Sequence, residues 1–305
     1  MPADKDMFDI VILTDNRYVN PTTTNWYIDQ VLLEDQLLQT ALEEKGLEVC
    51  KKDWADKHFD WRKTKYAIFR TTWDYFDRFD DFFSWLDQTK NKTTFINSAE
   101  VINWNIDKHY LQNLATNDIN IASTLFIEKE DKISLKQLFE KTKWSEAVLK
   151  PAISGAARHT YRINASNCSE CEAIFQELIE NECMLFQEFL NNITTQGEIS
   201  LILIAGKYTH SVKKIAKKGD FRVQDDHGGS VKKYTATKEE ILFAEECLKA
   251  SPFKPIYARV DIVYDNSNEL SLSELELIEP ELWFRNNPTS ANLLAEEIFN
   301  LISSK

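Results

Sequence analysis

Glycine is scarce in this sequence, with seven residues among 305, and its distribution is uneven. Six of the seven lie between Gly155 and Gly229, about a quarter of the chain. Because glycine lets the backbone approach a ligand closely and adopt positive φ angles, this concentration predicts ligand-approaching loops in the middle region. Ordinary hairpin turns are the alternative, and Gly206 before Lys207 is expected to be one.

Long apolar runs and a hydrophobic leader are also missing. No run of about 18 apolar residues occurs, so we expect no transmembrane helix. The first nine residues carry Asp4 and Asp6 and no apolar segment, which is unlike a signal peptide. The five cysteines are odd in number and scattered, which favours a reduced, cytoplasmic compartment. Cys168 and Cys171 form one CxxC without a second ligand pair, so packing residues are preferred over a metal or redox site.

Basic residues are outnumbered by acidic ones: the sequence has 36 Lys and Arg residues and 49 Asp and Glu residues, which gives a net charge of −13. Nucleic acids and anionic membranes are bound by clustered basic residues, so neither is an expected partner. The usual nucleotide and hydrolase signatures, GxxxxGK[ST], GxGxxG, HExxH and GxSxG, are absent as well. Any nucleotide chemistry must therefore depend on residues dispersed over several short strands.

The order of the predicted elements indicates an α/β (α+β) protein in three parts. Residues 1–105 alternate strands with helices, as in the strand Asp9–Leu13 and the helix from Ile28 to Lys45, and this predicts a parallel sheet. Residues 106–189 and 190–305 are each predicted to mix strands and helices. No Pro/Gly-rich linker separates the three parts, so we expect them to interlock.

Two segments in the last part alternate as half-buried strands with charged residues on one face. Arg259 and Asp261 share a face of residues 257–263, and Glu274 and Glu276 share a face of residues 272–277. If these strands pair, three carboxylates and a guanidinium group converge, and such carboxylates repel one another unless a cation bridges them. Mg²⁺ bound together with phosphate oxygens fits that position. A solvated, charged sheet face would show the same alternation and stays open.

Two lysines precede or follow predicted loops. Lys150 ends an apolar strand and leads into small residues, including Ser154 and Gly155, that suit a mobile flap over phosphates. Lys108 opens a helix, and a lysine is a point charge suited to phosphate. Solvated surface lysines are the common alternative for both.

A third loop, residues 217–222, contains basic residues and a glycine and ends at Arg222. Its composition suits a lid over an anion, and a flexible surface loop is the alternative. His227, which follows, is not assigned as a general base.

Together these residues resemble the ATP-grasp superfamily, because the elements follow the family's order along the chain. The elements are Lys108, Leu149–Pro151 with Gly155, Phe186–Leu190, Gly197-Glu198, Gly219–Arg222, Arg259–Asp261 and Glu274–Glu276. Four further segments are similar to the branch that contains O-ureido-D-serine cyclo-ligase, and the similarity covers nearly the whole chain. These segments are Arg70–Tyr75, Asn103–Lys108, Gly219–Gln224 and Glu274–Pro280.

The resemblance implies an ATP-grasp fold, with an N-terminal Rossmann-like domain and two α+β subdomains that hold ATP between them. It implies an ATP- and Mg²⁺-dependent ligase, with Mn²⁺ as a substitute, that joins a carboxylate to an amine through an acyl phosphate. The expected substrate is amino-acid-like, and cyclisation within one molecule and joining of two molecules both stay open. Related enzymes are often dimers or tetramers, which leaves a homo-oligomer open.

The resemblance also implies roles for individual residues. ATP would be held by Lys108, Lys150, Ser154, Gly155, the hinge residues Gln187, Glu188, Phe189 and Leu190, and the ribose-binding Glu198. Metal would be held by Asp261, Glu274 and Glu276, although Glu276 stands where glutathione synthetase-like members have Asn. Arg259 would offset charge on the transferred phosphate, and Arg222 would orient the γ-phosphate or the substrate carboxylate.

Arg70 and Asp74 follow a first-domain strand, where open α/β sheets bind their ligands. We therefore expect Arg70 to bind a substrate carboxylate and Asp74 an ammonium group, with Arg285 as a second carboxylate ligand. A kinase on the same scaffold and a non-catalytic ATP-binding regulatory protein are the alternative functions, since one fold hosts many activities.

Overall fold

The computed structural model describes residues 7–155, 157–223 and 228–304, and its strands form three sheets. The strands are β1 (Phe8–Thr14), β2 (Val49–Asp53), β3 (Thr64–Thr71), β4 (Thr94–Ile96), β5 (Thr124–Ile127), β6 (Glu146–Pro151), β7 (Tyr161–Asn164), β8 (Met184–Glu188), β9 (Glu198–Ile204), β10 (Lys207–Ile215), β11 (Ser230–Tyr234), β12 (Tyr257–Tyr264) and β13 (Leu270–Glu276). The helices are α1 (Trp26–Glu43), α2 (Phe79–Thr89), α3 (Ala99–Asn105), α4 (Tyr110–Ala115), α5 (Leu135–Thr142), α6 (Cys168–Asn181), α7 (Asn192–Thr195), α8 (Lys238–Ala250) and α9 (Thr289–Ser303).

The first sheet is parallel, in the strand order β2-β1-β3-β4, as the alternating strands and helices predict. Residues Ile10 to Leu13 of β1 are fully buried, which is typical of a central strand covered on both faces by helices. Helix α1 begins where the Asn25 side chain accepts a hydrogen bond from the Ile28 N–H group at 3.0 Å. The helix ends at Glu43, three residues before Gly46, which as a glycine adopts its φ of +81° without strain.

The second and third sheets are antiparallel, in the orders β5-β8-β6-β7 and β11-β10-β9-β12-β13. Strand β9 is buried along its whole length at the centre of the third sheet. The core between α4, α8 and the third sheet also includes Leu185 of the second sheet, so the two sheets share apolar contacts. Among the described residues, no helix combines the length and the apolar character that crossing a membrane requires.

The first sheet is joined to the third by buried polar contacts as well as by apolar ones. The Asn97 side chain donates hydrogen bonds to the carbonyl groups of Tyr257 and Leu277 at 3.0 and 2.8 Å, and it accepts one from the Ile256 N–H group at 2.6 Å. Helix α9 packs against α1 and shares a core with strands of both sheets. These contacts hold the ends of β1 and β3 beside the end of β13.

Candidate active site

A cleft of about 420 Å³ is lined by residues of the second and third sheets and by first-domain residues that lie outside the strands of the first sheet. Most residues that the sequence selected for ATP, metal and phosphate lie along it. These residues are Lys108, Lys150, Ser154, Gly155, Gln187, Glu198, Arg222, Arg259, Asp261, Glu274 and Glu276.

Three carboxylates and a guanidinium group meet where β12 pairs with β13. The register places Arg259 opposite Glu276 and Asp261 opposite Glu274. Arg259 Nη2 lies 2.8 Å from Asp261 Oδ2 and also contacts the Glu276 carboxylate. Lys108 Nζ lies 3.1 Å from Glu274 Oε1. The Asp261 side chain is only 2% exposed and that of Arg259 10%, whereas those of Glu274 and Glu276 are 31% and 26% exposed. The cluster is therefore buried at Asp261 and Arg259 and opens to the cleft at the two glutamates, unlike a fully solvated sheet face.

The carboxylates of this cluster differ in their electrostatic surroundings. Burial disfavours the charged form of Asp261, but Arg259 and Lys214 outweigh that effect and hold its pKa at about 2. Burial raises the pKa of Glu276 to about 8, because Arg259 offsets the effect only in part and Glu274 adds to it. A buried carboxyl group with such a raised pKa lacks a full counter-charge.

The donor set of this cluster fits a magnesium ion. All three candidate ligands offer carboxylate oxygens, which hard Mg²⁺ prefers, and a divalent cation would supply the counter-charge that Glu276 lacks. In the present side-chain arrangement, the described part of the chain has no group of three His, Cys, Asp or Glu residues placed to hold a metal. The carboxylates contact basic side chains instead. Metal binding therefore requires an exchange of partners, and Asp261, Glu274 and Glu276 stay predicted ligands.

The two predicted phosphate lysines differ in what they contact. Lys108 Nζ donates a hydrogen bond to the Ser154 carbonyl group at 2.7 Å and pairs with Glu274. Within the described ranges, no hydrogen bond or ion pair engages Lys150, and burial lowers its pKa while Glu274 partly opposes this. A cation without a contacting anion, at the wall of the cleft, is suited to an incoming phosphate.

The loop after β6 lies tightly against the first domain. A Cβ atom on Gly155 would lie 2.6 Å from Cε1 of the Phe76 ring, so this position has no room for a side chain. The neighbouring Ser154 hydroxyl donates to the Arg158 carbonyl group at 3.1 Å. The flap predicted from small residues is therefore a closely fitted loop beside the two lysines.

Lys214 of β10 is a site residue that the sequence analysis missed. Its buried ammonium group contacts the Glu198 carboxylate and lies 3.1 Å from Asp261 Oδ2. Ser273 Oγ donates a second hydrogen bond to Glu198 at 2.9 Å. Lys214 thus joins the predicted ribose-binding acid to the predicted metal ligand. The only sequence signal was a pair of lysines, Lys213 and Lys214, in a strand where their side chains must point to opposite faces.

Comparison with known proteins identifies the family. Residues 107–278, more than half of the chain, match the family model of the RimK-like ATP-grasp domain. The chain belongs to the RimK-like ATP-grasp family. It is an ATP-dependent ligase that joins a carboxylate to an amine, and the family's metal is Mg²⁺. Residues 10–97 match a second model, that of the N-terminal domain of the D-cycloserine synthetase DcsG.

Individual relatives agree with this assignment. The cycloserine biosynthesis protein DcsG of Streptomyces lavendulae is 24% identical over 255 residues, 77% of this chain and 82% of that protein. The crystal structure of D-cycloserine synthetase DcsG superposes with a TM-score of 0.85 at 20% identity, covering 96% of this chain and 99% of that one. The ATP-grasp ligase PsnB, with Mg and ADP, gives 0.60 at 13% identity, over 96% and 98% of the two chains. D-Alanine–D-alanine ligase from Bacillus anthracis gives 0.65 at 13% identity, over 98% of each. These superpositions show the ATP-grasp fold.

The segment predicted to be the adenine-binding hinge, residues 187–190, is only partly exposed to the cleft. Gln187 lies at the cleft wall and donates to Thr124 Oγ1 at 2.9 Å. Glu188 accepts a hydrogen bond from Asn266, while Phe189 packs edge-on against Phe221. The side chains of Glu188, Phe189 and Leu190 are not part of the cleft lining, and Leu190 is only 9% exposed. Adenine binding by these residues stays a prediction.

The three predicted substrate residues are not brought to the cleft lining, and this corrects the sequence analysis. Arg70 is 1% exposed, and its guanidinium group donates to Glu34 at 3.3 Å and to the Pro280 carbonyl group at 3.0 Å. Asp74 accepts hydrogen bonds from the Trp54 indole at 2.6 Å and from Arg78 at 3.0 Å.

Arg285 pairs with Glu281, four residues earlier, and it is this glutamate that reaches the cleft. Each of the three charged groups contacts a partner within the protein, although only Nη2 of Arg70 does so and its buried Nε and Nη1 atoms have no hydrogen-bond partner among the described residues. Direct contact of Arg70, Asp74 or Arg285 with a substrate is not supported by this arrangement.

The wall that the first domain does supply was not found from the sequence. It consists of residues after β1 and β3 and of the segment after β13, namely Arg17, Tyr18, Trp73, Tyr75, Phe76, Ile278, Glu279 and Glu281. The prediction that ligands lie beyond the carboxyl ends of the first-domain strands selected the correct loops but the wrong side chains. Gln224 to His227, at the end of the predicted lid, lie outside the described residues.

Proposed function

We propose that this ligase activates the carboxylate of an amino-acid-like small molecule as an acyl phosphate and joins it to an amine. The observation that carries this proposal is the convergence of Arg259, Asp261, Glu274 and Glu276 in one cleft with two lysines, Lys108 just before α4 and Lys150 of the second sheet. Phosphoryl transfer depends on positioning and charge neutralisation more than on covalent participation, and this cluster offers both. The relatives named above are a synthetase and ligases, which disfavours the kinase and the non-catalytic alternatives.

In the proposed mechanism, Lys108 and Lys150 hold oxygens of the α- and β-phosphates. Ser154 and Gly155 close the loop over them. The substrate carboxylate attacks the γ-phosphorus, and the bond from that phosphorus to the β–γ bridging oxygen breaks, so that ADP leaves. Arg259 offsets the charge that develops on the transferred group, and Arg222 orients it. An amine nitrogen then attacks the acyl carbon, and the carbon–oxygen bond to phosphate breaks.

Asp261, Glu274 and Glu276 are the proposed magnesium ligands. The bound ion would neutralise phosphate charge during transfer. Mn²⁺ accepts the same oxygen ligands in the same geometry, so we propose it as a substitute metal. Glu198 is proposed to bind the ribose, and residues 187–190 the adenine.

Arg17 replaces Arg70 as the proposed ligand of a second carboxylate on the substrate. Its guanidinium group is held by Asp15 through Nε and Nη2, and Nη2 also donates to the Trp73 carbonyl group at 3.2 Å. The side chain is 59% exposed at the cleft, so it is both oriented and accessible.

The proposal also covers the domain division, the cellular location and the oligomeric state, and it leaves open whether the ligation closes a ring. We propose the division into residues 1–105, 106–189 and 190–305, which agrees with one sheet in each part. A cytoplasmic location is supported by the five cysteines, all of them free thiols. A homo-oligomer is proposed from the resemblance alone. Whether the ligation closes a ring, as the synthetase relative suggests, is a matter for product analysis.

Product analysis by mass spectrometry tests the proposal. The protein is incubated with Mg²⁺-ATP, with and without pooled amino acids and related carboxylates. ADP formed only with a pool, together with a product lighter by water than its precursors, is the expected result. A phosphorylated stable product would make the protein a kinase, and AMP with pyrophosphate would exclude an acyl phosphate.

A further inference from the structure

The first domain gives the cleft an aromatic wall, beside which the segment after β13 places two carboxylates, those of Glu279 and Glu281. The rings of Tyr18 and Trp73 meet edge to face at 5.9 Å between centroids, and those of Tyr75 and Phe76 at 5.5 Å. Glu279 reaches this wall from the segment after β13, where interaction with the Tyr75 hydroxyl lowers the pKa of its carboxyl group against the larger, opposite effect of burial. Ring faces beside a carboxylate are surroundings that attract an ammonium group.

The backbone that carries Glu279 is fixed by side chains from other elements. The Trp73 indole donates to the Glu279 carbonyl group at 3.0 Å, and Arg70 donates to that of Pro280 at 3.0 Å. The Tyr257 hydroxyl donates to the Ile278 carbonyl group at 2.7 Å. A carboxylate on a segment held at three successive residues is oriented before any ligand arrives, so binding costs little ordering entropy.

Among the described residues, no lysine or arginine contacts the Glu279 carboxylate. Lys108 acts on it only at longer range, because its ammonium group contacts Ser154 and Glu274. The nearby Glu281, by contrast, pairs with Arg285. Burial raises the pKa of Glu279 to about 7, and the hydrogen bond from Tyr75 offsets this only in part. A ligand cation would supply the missing counter-charge.

We propose that Glu279, between the rings of Trp73 and Tyr75, binds the ammonium group of the substrate. The substrate of this ligase is then a small primary amine that is cationic when it binds. This inference rests on the proposed function and adds the orientation of the substrate. The ammonium group lies against the first domain, and the carboxylate to be activated lies toward Arg259.

Fragment binding to the full-length protein saturated with Mg²⁺-ADP tests this inference. The probes are propylammonium, 1-propanol and propionate, which have similar size and differ in charge, and binding is measured by ligand-observed NMR. Wild-type protein should bind propylammonium about tenfold more tightly than 1-propanol, since a hydrogen bond to a charged partner is worth at least that factor. Glu279→Gln should abolish the preference. Glu281→Gln, the matched control, should retain it, because Arg285 already neutralises that carboxylate.

A second variant keeps the test independent of folding. Tyr75→Phe keeps the ring and removes the hydroxyl that orients Glu279, and it should reduce the preference without abolishing it. Unchanged Mg²⁺-ADP affinity in each variant shows that the nucleotide site is intact. A preference that survives in Glu279→Gln, or equal binding of propylammonium and 1-propanol to wild-type protein, would overturn the inference and leave the ligase function standing. Wild-type protein that does not bind Mg²⁺-ADP would overturn the proposed function itself.

Discussion

The buried ammonium group of Lys214 contacts two carboxylates. The proposed mechanism assigns a different ligand to each of them. Glu198 is the proposed ribose-binding acid and Asp261 a proposed metal ligand, and both contact this lysine. Two carboxylates this close in a buried site repel each other unless a cation lies between them. Lys214 therefore positions the nucleotide site and the metal site relative to each other.

Replacing Lys214 with methionine should leave Glu198 and Asp261 buried without their shared counter-charge. Removing one partner from a buried ion pair typically costs about 3–5 kcal/mol, so we expect a loss of about 3 kcal/mol in the free energy of unfolding. Urea denaturation measures this loss. Lys213→Met, on the adjacent residue of β10, is the control and should cost less than about 1 kcal/mol. A Lys214→Met protein as stable as the wild type would show that the cluster needs no cation at this point.

Lys150 presents the opposite case, a cation without a contacting anion in the described chain. Its replacement by methionine removes the burial cost of an uncompensated charge, so stability should be unchanged or slightly higher. ATP affinity should fall at least about tenfold, because a charged hydrogen bond to phosphate is lost. Titration calorimetry with ATP and thermal unfolding measure the two effects, with the exposed Lys207→Met as control. An unchanged ATP affinity would remove Lys150 from the site.

The residues of the ionic cluster were predictable because a strand has a period of two. Arg259, Asp261, Glu274 and Glu276 show which face they share as soon as the strands are recognised. Glu279 lies just beyond the strand, and its position depends on hydrogen bonds from Trp73 in another domain. No local pattern encodes such a contact, and the contacts of Arg70 with Glu34 and Pro280 likewise join residues distant in the sequence.

The loop between β6 and β7 is the element whose fit to the first domain is tightest. Gly155→Ala should push this loop or the Phe76 ring aside, because the new methyl group would lie 2.6 Å from Phe76 Cε1. We expect destabilisation of about 1–3 kcal/mol, typical of overpacking, and a raised KM for ATP. Urea denaturation and steady-state kinetics provide the measurements.

The double variant Gly155→Ala/Phe76→Ala separates the steric effect from other causes. Removal of the ring should restore the KM for ATP toward the wild-type value, with Phe76→Ala alone as reference. If the double variant keeps the raised KM, the loop requires glycine for a reason other than contact with Phe76.

The first-domain elements were found from their local signals, whereas one helix with a local signal was overlooked and one strand that depends on its pairing partner was missed. The alternating strands and helices of the first domain predicted its parallel sheet, which the structure confirms. Helix α8 was missed, although Thr237 and Glu240 form a capping box at its start. Strand β11, an edge strand with three exposed positions, has no hydrophobic alternation and depends on pairing with β10. Edge pairing of this kind leaves little trace in the sequence.

On the scale of the whole molecule, Glu34 and Arg70 join the first domain to the segment between β13 and α9. The Glu34 carboxylate, on α1, accepts hydrogen bonds from the N–H groups of Leu282 and Phe284 at 2.7 and 2.8 Å. Arg70 donates to the same carboxylate and to Pro280. The segment that carries Glu279 is therefore anchored at both sides, so the shape of the substrate wall is coupled to the packing of the two domains.

This anchor predicts a dependence of stability on pH. Burial raises the pKa of Glu34 from 4.5 to about 7, and Arg70 only partly opposes this. Because the pKa in the folded state is the higher one, the stability that protonation contributes is complete below about pH 4.5 and is lost as the pH rises through about 7. As the pH rises between these two values, the free energy of unfolding of the wild type should fall by about 3 kcal/mol relative to that of Glu34→Gln. Urea unfolding of both proteins at several pH values measures the difference, with Glu43→Gln on the same helix as control. A difference that does not change with pH would mean that Arg70 and the two N–H groups fully offset the burial of this carboxylate.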